Sequence, residues 1–379
     1  MPVFSFPALK VEPVPNLVRS LLVACLLASP MAQAMDYRIE TVTEGLEYPW
    51  AMAFLPDGRM LVTERPGRLR IVEADGRLNA EPVGGVPEGF HAAQAGLMDV
   101  VLDPDFERNG WLYLSYAYGT LNANNTRLAR ARLVDGHLQT VQVLFSAQPA
   151  KAGAAHYGGR MAFLPDGTLV LTLGDGFDGR EQAQDPSNHL GKLIRLNRDG
   201  SIPADNPLVA TPGAAAEIYS LGHRNVQGIA YDHVHGRLYS HEHGPRGGDE
   251  LNLIEPGNNY GWPLISHGLD YTGARVTPYT ELPGLEQPLL HWTPSVAPSS
   301  LMRYSGELFP AWHGDLFVST LAEKSVRRIR MQDDKLAGEM VLFEELDERI
   351  RAVYAGPEGA LYLLTDNAQG RLLRVLPTE

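Results

Sequence analysis

Three polar side chains in two short segments could take part in acid–base or anion chemistry. His156 lies in the segment HYGGR, and an imidazole with an ordinary pKa of about 6.5 can accept a proton from an alcohol. Arg224 and Asn225 lie in GHRNVQG, where a planar cation and an amide suit carboxylate and carbonyl oxygens. Composition alone leaves both segments open to a structural role, since the chain has 12 histidines and Arg224 could be a solvated side chain of a turn.

Residues 241–252, HEHGPRGGDELN, form the densest polar segment and favour a hard cation. A Gly/Pro-rich bend exposes backbone carbonyls, and Asp249 and Glu250 add anionic oxygens, a combination that suits Ca²⁺ better than zinc. His241 and His243 could indicate a transition metal instead. The HExxH pattern is missing, and alternate strand residues share a face without having to converge on one ion, so zinc is the weaker interpretation.

A pair of arginines opens the last predicted strand pair. Arg349 and Arg351 project to one face of a strand, and two guanidinium groups on one face could bind a polyanionic ligand. A solvated basic edge is the alternative. The acidic stretch 175–179, DGFDG, lacks the full EF-hand spacing and is interpreted as a loop.

These side chains need elements that position them, and the chain repeats one such element. The sequence FLPDG occurs at residues 54–58 and 163–167, each time between apolar runs, which predicts strand, tight turn and strand. Weaker copies follow at 101–114, 229–239, 312–318 and 353–364. Six units at spacings of roughly 45 to 80 residues predict an all-β fold, a six-bladed β-propeller with four-stranded antiparallel blades and long functional loops at one channel mouth. An ordinary β-sandwich is the alternative.

The first 34 residues do not share this pattern. Lys10 and Arg19 precede a short apolar stretch that ends in AQA at residues 32–34, which predicts a secretory signal peptide and a single propeller domain over residues 35–379. A lipobox-like sequence at Cys25 leaves lipoprotein anchoring as a minor alternative. We therefore expect a periplasmic or secreted protein without stable membrane insertion.

The composition limits the function classes. Cys25 is the only cysteine, so the mature chain must derive its stability from burial and sheet pairing rather than from disulfides. The formal net charge of −13 becomes −14 without the predicted signal peptide, because Lys10 and Arg19 outnumber Glu12. Such an acidic chain is poorly suited to nucleic acid, and we expect no nucleic-acid partner.

Eight segments, in their order along the chain, resemble the soluble PQQ-dependent sugar dehydrogenases of the glucose/sorbosone dehydrogenase family, most closely its aldose sugar dehydrogenase branch. The similarity runs from about residue 46 to the C-terminus, through GLEYPWAMAFLPDGRMLVTERPGRLRIV, AGLMDVVLDPDF, HYGGRMAFLPDGTLVLTLGDG, DPSNHLGKLIRLNRDGSIPADNP, YSLGHRNVQGIAYD, HEHGPRGGDELNLIEPGNNYGWP, APSSLMRYSGELFPAWHGDLFVS and ERIRAV. The resemblance implies a propeller that holds PQQ and Ca²⁺ at its channel mouth. It also implies oxidation of an aldose sugar at C1 to the aldonolactone, with hydride passing to PQQ and electrons then passing to an external acceptor that the sequence does not specify.

The resemblance also implies roles for individual residues. His156 matches the family's catalytic base, which takes the proton of the anomeric hydroxyl, and Arg224 accompanies it at the reaction centre. The residues implied to bind the cofactor are Gln94, Arg224, Asn225, Arg349 and Arg351. Those implied to bind calcium are Gly244 and Pro245, through their carbonyls at the catalytic ion, and Asp249, Glu250 and Tyr260 at a second, structural ion.

The chain departs from the family pattern in three places. Ala322 stands where family members often have Lys or Arg, and Lys324, expected on the same strand face, is the nearest substitute as a cofactor ligand. Ser300 replaces a common glycine and Ala352 a usual aspartate, both near the expected cofactor.

Two other functions stay open from the sequence. Six-bladed propellers also serve as calcium-dependent lactonases and related hydrolases, in which the metal activates water or a carbonyl and no quinone pocket is needed. A non-catalytic propeller binding module is the third candidate. The arginine pair and the GHRN segment argue against a lactonase, which requires no carboxylate clamp. The intact set of His156, Arg224, Asn225, Arg349 and Arg351 argues against a binding module.

Overall fold

The computed structural model describes residues 37–332 and 335–378. The predicted signal peptide, its cleavage site and Cys25 lie outside the described residues. Across the described ranges, no helix has both the length and the apolar character needed to cross a bilayer.

The described residues form 23 β-strands and very little helix. The strands are β1 (Tyr37–Leu46), β2 (Pro49–Phe54), β3 (Met60–Glu64), β4 (Arg68–Val72), β5 (Leu97–Leu102), β6 (Trp111–Thr120), β7 (Ala123–Val134), β8 (His137–Ser146), β9 (Met161–Phe163), β10 (Leu169–Thr172), β11 (Lys192–Leu196), β12 (Ile218–Leu221), β13 (Val226–Asp232), β14 (Arg237–Glu242), β15 (Asp249–Ile254), β16 (Leu290–Trp292), β17 (Pro298–Arg303), β18 (Leu316–Thr320), β19 (Val326–Gln332), β20 (Lys335–Leu342), β21 (Ile350–Ala355), β22 (Leu361–Thr365) and β23 (Gly370–Pro377). The helical segments are one α-helix, Phe106–Asn109, and the 3₁₀ helices Arg180–Gln184, Pro310–Trp312 and Glu344–Leu346.

Six antiparallel sheets form the blades of a β-propeller, which confirms the predicted fold class. Blades 1 to 6 contain, in order, β2–β4, β5–β8, β9–β12, β13–β16, β17–β20, and β21–β23 with β1. The first strands of the blades, β2, β5, β9, β13, β17 and β21, pack side by side in a closed ring around the axis. Blade 1 has three strands, and its outer edge is covered by the segment 78–83, where the amide of Val83 donates to the carbonyl of Leu69 (2.8 Å).

The N-terminal strand closes the ring. β1 pairs antiparallel with β23 as the outer strand of blade 6, with Tyr37 opposite Pro377 and Thr41 opposite Leu373. The first and last segments of the domain therefore share one sheet, and the ring cannot open without breaking this ladder.

The repeated FLPDG sequence forms the predicted hairpin in both places. In blade 1 the amide of Leu55 donates to Arg59 (2.8 Å) and that of Gly58 donates to Leu55 (3.0 Å). Gly58 has a φ of 87°, a left-handed conformation that glycine adopts without steric strain. Blade 3 repeats both bonds at Leu164 and Gly167.

The hydrophobic core lies between neighbouring blades. All five residues of β3 are buried, because the sheet has a neighbour on each face. One cluster joins blade 1 to blade 6 through Met52, Val62 and Leu364. Apolar burial contributes roughly 25 cal/mol per Å², so these inter-blade layers stabilise the ring without disulfides.

One side chain of blade 3, at the axis, contacts each of the other five blades. Arg160, directly before β9, has its guanidinium carbon 3.8 Å from the centre of the Trp50 ring of blade 1, and Nη1 is 3.8 Å from the Asp99 carboxylate of blade 2. It donates to backbone carbonyls in blades 4, 5 and 6, those of Gln227 (3.0 Å), Ser299 (2.7 Å) and Arg351 (3.4 Å). We call Arg160, Asp99 and Trp50 the axial cluster. It lies between a cavity at one mouth and a second cavity lined by the inner strands.

Candidate active site

The first cavity, which we call the mouth cavity, is built largely by residues at or before the starts of the inner strands. Four of the predicted cofactor ligands line it, Gln94, Asn225, Arg349 and Arg351. Tyr157 and Gly158, which follow His156, also line it, and the amide of His156 donates to Gln94 of the same wall (2.8 Å). Trp50, Arg65 and Gln227 contribute to the wall as well. The fold thus gathers segments that are far apart in the sequence at one opening.

His156 is held in one orientation. Its backbone is left-handed (φ 53°) and its amide donates to Gln94 Oε1 (2.8 Å). The ring is buried, and Nδ1 lies 2.7 Å from Asp175 Oδ1, so we assign the proton to Nδ1 and leave Nε2 as an acceptor. Burial lowers the pKa of His156 below its ordinary value, although the hydrogen bond to Asp175 acts in the opposite direction. The imidazole is therefore neutral at pH 7 and can act as a base.

Asp175 is a site residue that the sequence interpretation missed within the DGFDG loop. Its Oδ1 also accepts from the amide of Phe177 (2.8 Å), and its Oδ2 accepts from the indole N–H of Trp262 (2.8 Å). Burial acts to raise the pKa of Asp175, but the hydrogen bond from His156 and the charges of His156 and Arg224 outweigh it and hold the pKa below its usual value. The carboxylate can therefore stabilise the imidazolium that forms when His156 takes a proton.

Arg224 and Asn225 are buried beside His156 and connect it to the predicted calcium segment. The guanidinium of Arg224 donates to the carbonyls of His243 (3.1 Å) and Gly244 (2.7 Å) and to the hydroxyl of Tyr271 (3.3 Å). The carbonyl of Asn225 accepts from the amide of His243 (3.2 Å). Arg224 is thus fixed by the carbonyls of the loop that follows β14.

The arginine pair before and within β21 shares a single carboxylate. Arg349 Nη2 lies 3.0 Å and Arg351 Nη2 lies 3.1 Å from Asp366 Oδ2. Burial acts to raise the pKa of Asp366, but the charges of Arg351 and Arg349 outweigh it, and the pKa lies below its usual value. Two guanidinium groups around one carboxylate leave a net positive wall. Asp366 carried no signal in the sequence, because its partners lie in another strand.

The predicted calcium residues divide into two groups. Asp249 is fully buried, and its carboxylate accepts from the amides of Gly244 (2.9 Å), Val296 (2.8 Å) and Ala297 (2.9 Å) and from the hydroxyl of Ser295 (2.7 Å). These four donors occupy its oxygens, so Asp249 positions the Gly244 loop.

Glu250 and Tyr260 line a third, smaller cavity with Gly244 and Pro245. Burial and then the charge of Glu242 raise the pKa of Glu250 to about 8. This carboxylate forms no ion pair among the described residues. The cavity offers hard oxygen atoms, which suit Ca²⁺, and the guanidinium of Arg224 also lines it.

The two histidines of the same segment do not form a metal site. Both ring nitrogens of His241 are buried without a hydrogen-bond partner in the described structure, whereas His243 Nε2 lies 2.7 Å from the carbonyl of Pro298. Burial lowers their pKa values to about 3 and about 4. Within residues 37–332 and 335–378 no group of three or more His, Cys, Asp or Glu side chains could hold a metal ion. The zinc interpretation therefore finds no support.

Two exposed aromatic rings extend the site outward from His156. The Phe177 ring packs edge-on against the His156 imidazole at 5.1 Å, and it stacks on the Tyr271 ring at 6.0 Å. Phe177 is 46% exposed and Tyr271 is 57% exposed. We call these two rings the aromatic wall. It belongs to loops whose role the sequence did not reveal.

Comparison with known proteins agrees with this geometry. A family model described as Glucose / Sorbosone dehydrogenase matches residues 46–374. The chain belongs to this family. Aldose sugar dehydrogenase YliI of Escherichia coli is 39% identical over 359 residues, which cover 93% of this chain and 96% of that protein.

Solved structures agree with the family assignment. The crystal structure of soluble aldose sugar dehydrogenase from Escherichia coli in its apo form has a TM-score of 0.87 at 39% identity, covering 90% of this chain and 100% of that one. The PQQ-bound form of aldose sugar dehydrogenase from Streptomyces coelicolor has a TM-score of 0.74 at 29% identity, covering 90% of this chain and 99% of that one. The resemblance drawn from the motifs is thereby confirmed, and the protein is an oxidoreductase of the sugar dehydrogenase class.

Lys324 does not reach the mouth cavity of this dehydrogenase. β18 ends at Thr320, and Lys324 has a left-handed backbone (φ 61°), so the alternation of strand side chains does not extend to it. Its Nζ pairs instead with Asp347 (2.8 Å) on the exposed surface. Leu321, at the start of this loop, does line the cavity.

The other two departures from the dehydrogenase pattern also lie away from the mouth cavity. Ser300 lines the cavity on the far side of the axial cluster, and its hydroxyl accepts from the amide of Val353 (2.9 Å). Ala352 is fully buried in the core between blades 6 and 1. Neither residue lines the mouth cavity, because alternate residues of an inner strand face different layers.

Proposed function

We propose that the mature protein, residues 35–379, oxidises aldose sugars at C1 to the aldonolactone with PQQ and Ca²⁺. The observation that carries this proposal is the pairing of a neutral, oriented imidazole with a cationic cavity wall at the same mouth. His156 Nε2 supplies a base, and Arg349 and Arg351 supply more positive charge than Asp366 balances. The family relationship and the PQQ-bound relative support the same conclusion.

The residues present fit a polycarboxylate quinone. PQQ, when bound, would supply the two-electron oxidising power for removal of a hydride from C1. Gln94, Asn225, Arg349 and Arg351 would hold it, because guanidinium and amide groups suit carboxylate and carbonyl oxygens. Losing one of these arginines would weaken cofactor binding by about 2–3 kcal/mol, the usual range for a charge-assisted hydrogen bond.

Calcium fits the segment that follows β14. We propose that the carbonyls of Gly244 and Pro245 hold the catalytic ion and that Glu250 and Tyr260 hold a second one. Asp249, predicted as a ligand, acts by positioning Gly244 through the bond to its amide (2.9 Å).

The protein's own residues perform the proton transfer. His156 takes the hydroxyl proton at Nε2, while Asp175 keeps the ring in the required tautomer and stabilises the resulting positive charge. Arg224 faces the same centre and is fixed by its bond to the Gly244 carbonyl (2.7 Å). The proposed aromatic wall gives the apolar face of a sugar ring a surface to pack on.

Export to the periplasm or outside the cell, through the predicted signal peptide, completes the proposal. The chain's partners would then be an aldose and an external electron acceptor outside the cytoplasm, without nucleic acid.

Reconstitution tests this function. Residues 35–379 are expressed without cofactor, then combined with PQQ and Ca²⁺, and dye reduction is measured for a panel of aldoses. We expect reduction that depends on PQQ, and a kcat that falls roughly 10²-fold or more in His156→Asn because base catalysis is lost. His313→Asn, at an exposed position away from the cavity, is the matched control and retains full activity.

Two outcomes would reject the proposal. Dye reduction that is the same without PQQ, or absent for every aldose, removes the dehydrogenase function. Hydrolysis of lactones with Ca²⁺ alone would instead establish the lactonase function.

A further inference from the structure

Arg65 is a cation of the mouth cavity to which neither the family resemblance nor the proposed mechanism assigns a role. It lies in the turn between β3 and β4, and its guanidinium carbon is 4.4 Å from the centre of the Tyr48 ring. Gly96 leaves room for it, because a Cβ there would lie 2.6 Å from Arg65 Cγ and 2.1 Å from its carbonyl oxygen. Backbone and ring together fix the side chain at the cavity wall.

The guanidinium of Arg65 has no anionic partner in the described parts of the chain. Its Nε is buried and makes no hydrogen bond there, and no carboxylate forms an ion pair with it. Most other arginines around the cavity are paired, Arg349 and Arg351 with Asp366 and Arg224 with backbone carbonyls. A guanidinium with donors left over at a cavity wall indicates that its acceptor is a ligand.

The balance of charges on this wall also indicates an anionic ligand. Three guanidinium groups, those of Arg65, Arg349 and Arg351, face the single carboxylate of Asp366. Burial acts to raise the pKa of Asp366, and the charges of Arg351 and Arg349 lower it. Arg65 is close enough that its charge lowers this pKa as well, by a smaller amount. An excess of two positive charges is unfavourable in the empty cavity and is neutralised by a ligand with two or more carboxylates.

Lys324 cannot provide this third cation from where it lies. Its Nζ is paired with Asp347 (2.8 Å), and its side chain is 44% exposed. Ala322, at the position where a cation was expected, has no charge to offer.

We propose that Arg65 is the third carboxylate-binding cation of the cofactor site, in place of the cation that Ala322 lacks. This inference rests on the proposed function, because the ligand it addresses is PQQ. It assigns the residue a role in binding and none in the chemical step.

Equilibrium binding of PQQ to the cofactor-free protein tests the proposal. PQQ is titrated in the presence of Ca²⁺ and followed by tryptophan fluorescence, which Trp50 in the cavity wall makes responsive. We expect Arg65→Gln to raise Kd about 10- to 100-fold, the range for losing a charge-assisted hydrogen bond, and to make Kd less dependent on salt. The Kd of Arg65→Lys should lie between those of the unsubstituted protein and Arg65→Gln, because lysine keeps the charge and loses the planar fork of the guanidinium. Lys324→Gln is the matched control and should leave Kd within about twofold.

A melting curve of the cofactor-free protein separates binding from folding. Because Arg65 faces two like charges, Arg65→Gln should not lower the melting temperature of the empty protein, while it reduces the increase that PQQ produces. A Kd within twofold of the unsubstituted protein would overturn the proposal, as would a lowered melting temperature without PQQ or a larger Kd change in Lys324→Gln. If the unsubstituted protein does not bind PQQ, the proposed function fails and this inference fails with it.

Discussion

As the proposed base, His156 meets two opposing requirements through its surroundings. A base must be unprotonated at working pH, and burial provides this by lowering its pKa. A base must also accept a proton readily, and the buried Asp175 carboxylate provides this by stabilising the charged ring. The tautomer follows from the same contact, because the proton on Nδ1 points to Asp175 and leaves Nε2 as the acceptor.

Asp175→Asn separates the effect of burial on the His156 pKa from the effect of the Asp175 carboxylate. Removing the charge should lower kcat by roughly 10²- to 10⁴-fold, because the imidazolium loses its partner and the tautomer is no longer fixed. The bond to Asp175 is the main influence that raises the His156 pKa, so that pKa should fall further. The activity of a base is lost as pH falls through its pKa, and the acid limb of the kcat profile should therefore move to lower pH. A limb that moves to higher pH would contradict this assignment.

The aromatic wall should affect substrate binding more than turnover. Phe177→Ala removes an exposed ring beside His156, and we expect KM to rise about 5- to 10-fold while kcat stays within about twofold. Tyr271→Phe is the matched variant, because it keeps the stacked ring and removes only the hydroxyl that accepts from Arg224. A fall in kcat without a change in KM in Phe177→Ala would show that the ring instead orients His156.

At the level of elements, Asp249 at the start of β15 joins two loops. It accepts from Gly244 on one side and from Ser295, Val296 and Ala297 on the other, so both loops depend on one carboxylate. The loop before β17 and the loop after β14 are thereby fixed relative to each other.

Asp249→Asn should destabilise the cofactor-free protein by about 2–3 kcal/mol, since an amide replaces a charged acceptor of several N–H groups. Urea unfolding measures the change. Asp347→Asn is the control, because its surface ion pair with Lys324 contributes little and asparagine tolerates the left-handed backbone at that position (φ 48°). Equal stability of both variants would show that the bonds to Asp249 are dispensable.

Local and long-range features differ in how far the sequence predicts them. The FLPDG hairpins depend on five adjacent residues, so the turn and the strands were predicted from the chain alone. The stretch 175–179 is a loop, as the sequence predicts, but the sequence does not reveal the role of Asp175, because that role depends on Trp262 and His156 in other segments. The alternation of strand side chains predicts Lys324 on a strand face, but β18 ends four residues earlier. Arg65 lies within the first of the family-like segments, but the segment assigns it no role, and only the fold reveals its place in the cavity wall.

At the level of the whole molecule, Arg160 connects the blades at the axis. Arg160→Met should destabilise the protein by about 3–5 kcal/mol, because Asp99 becomes a buried charge without a partner. Burial already raises the pKa of Asp99 to about 6, against the opposing charge of Arg160. Without that charge its pKa should be higher still, so Asp99 of the native variant takes up a proton at a higher pH than in the unsubstituted protein. The stability difference should therefore shrink as pH falls toward about 6 and change little below it.

The double variant Arg160→Met, Asp99→Asn distinguishes charge from packing. It should be more stable than Arg160→Met alone at pH 7.5, as measured by urea unfolding, because no unpaired charge remains. If the double variant is no more stable than the single one, the loss comes from the hydrogen bonds to the three backbone carbonyls instead.

The axial cluster also closes the mouth cavity at its inner end, because Arg160 forms hydrogen bonds across the axis below it. The molecule that delivers reducing equivalents and the molecule that removes them must therefore enter through the same opening, one after the other. For the proposed oxidation, the lactone has to depart before the acceptor can approach. The steady-state rate law is then of the substituted-enzyme type, with parallel double-reciprocal lines as the two concentrations are varied.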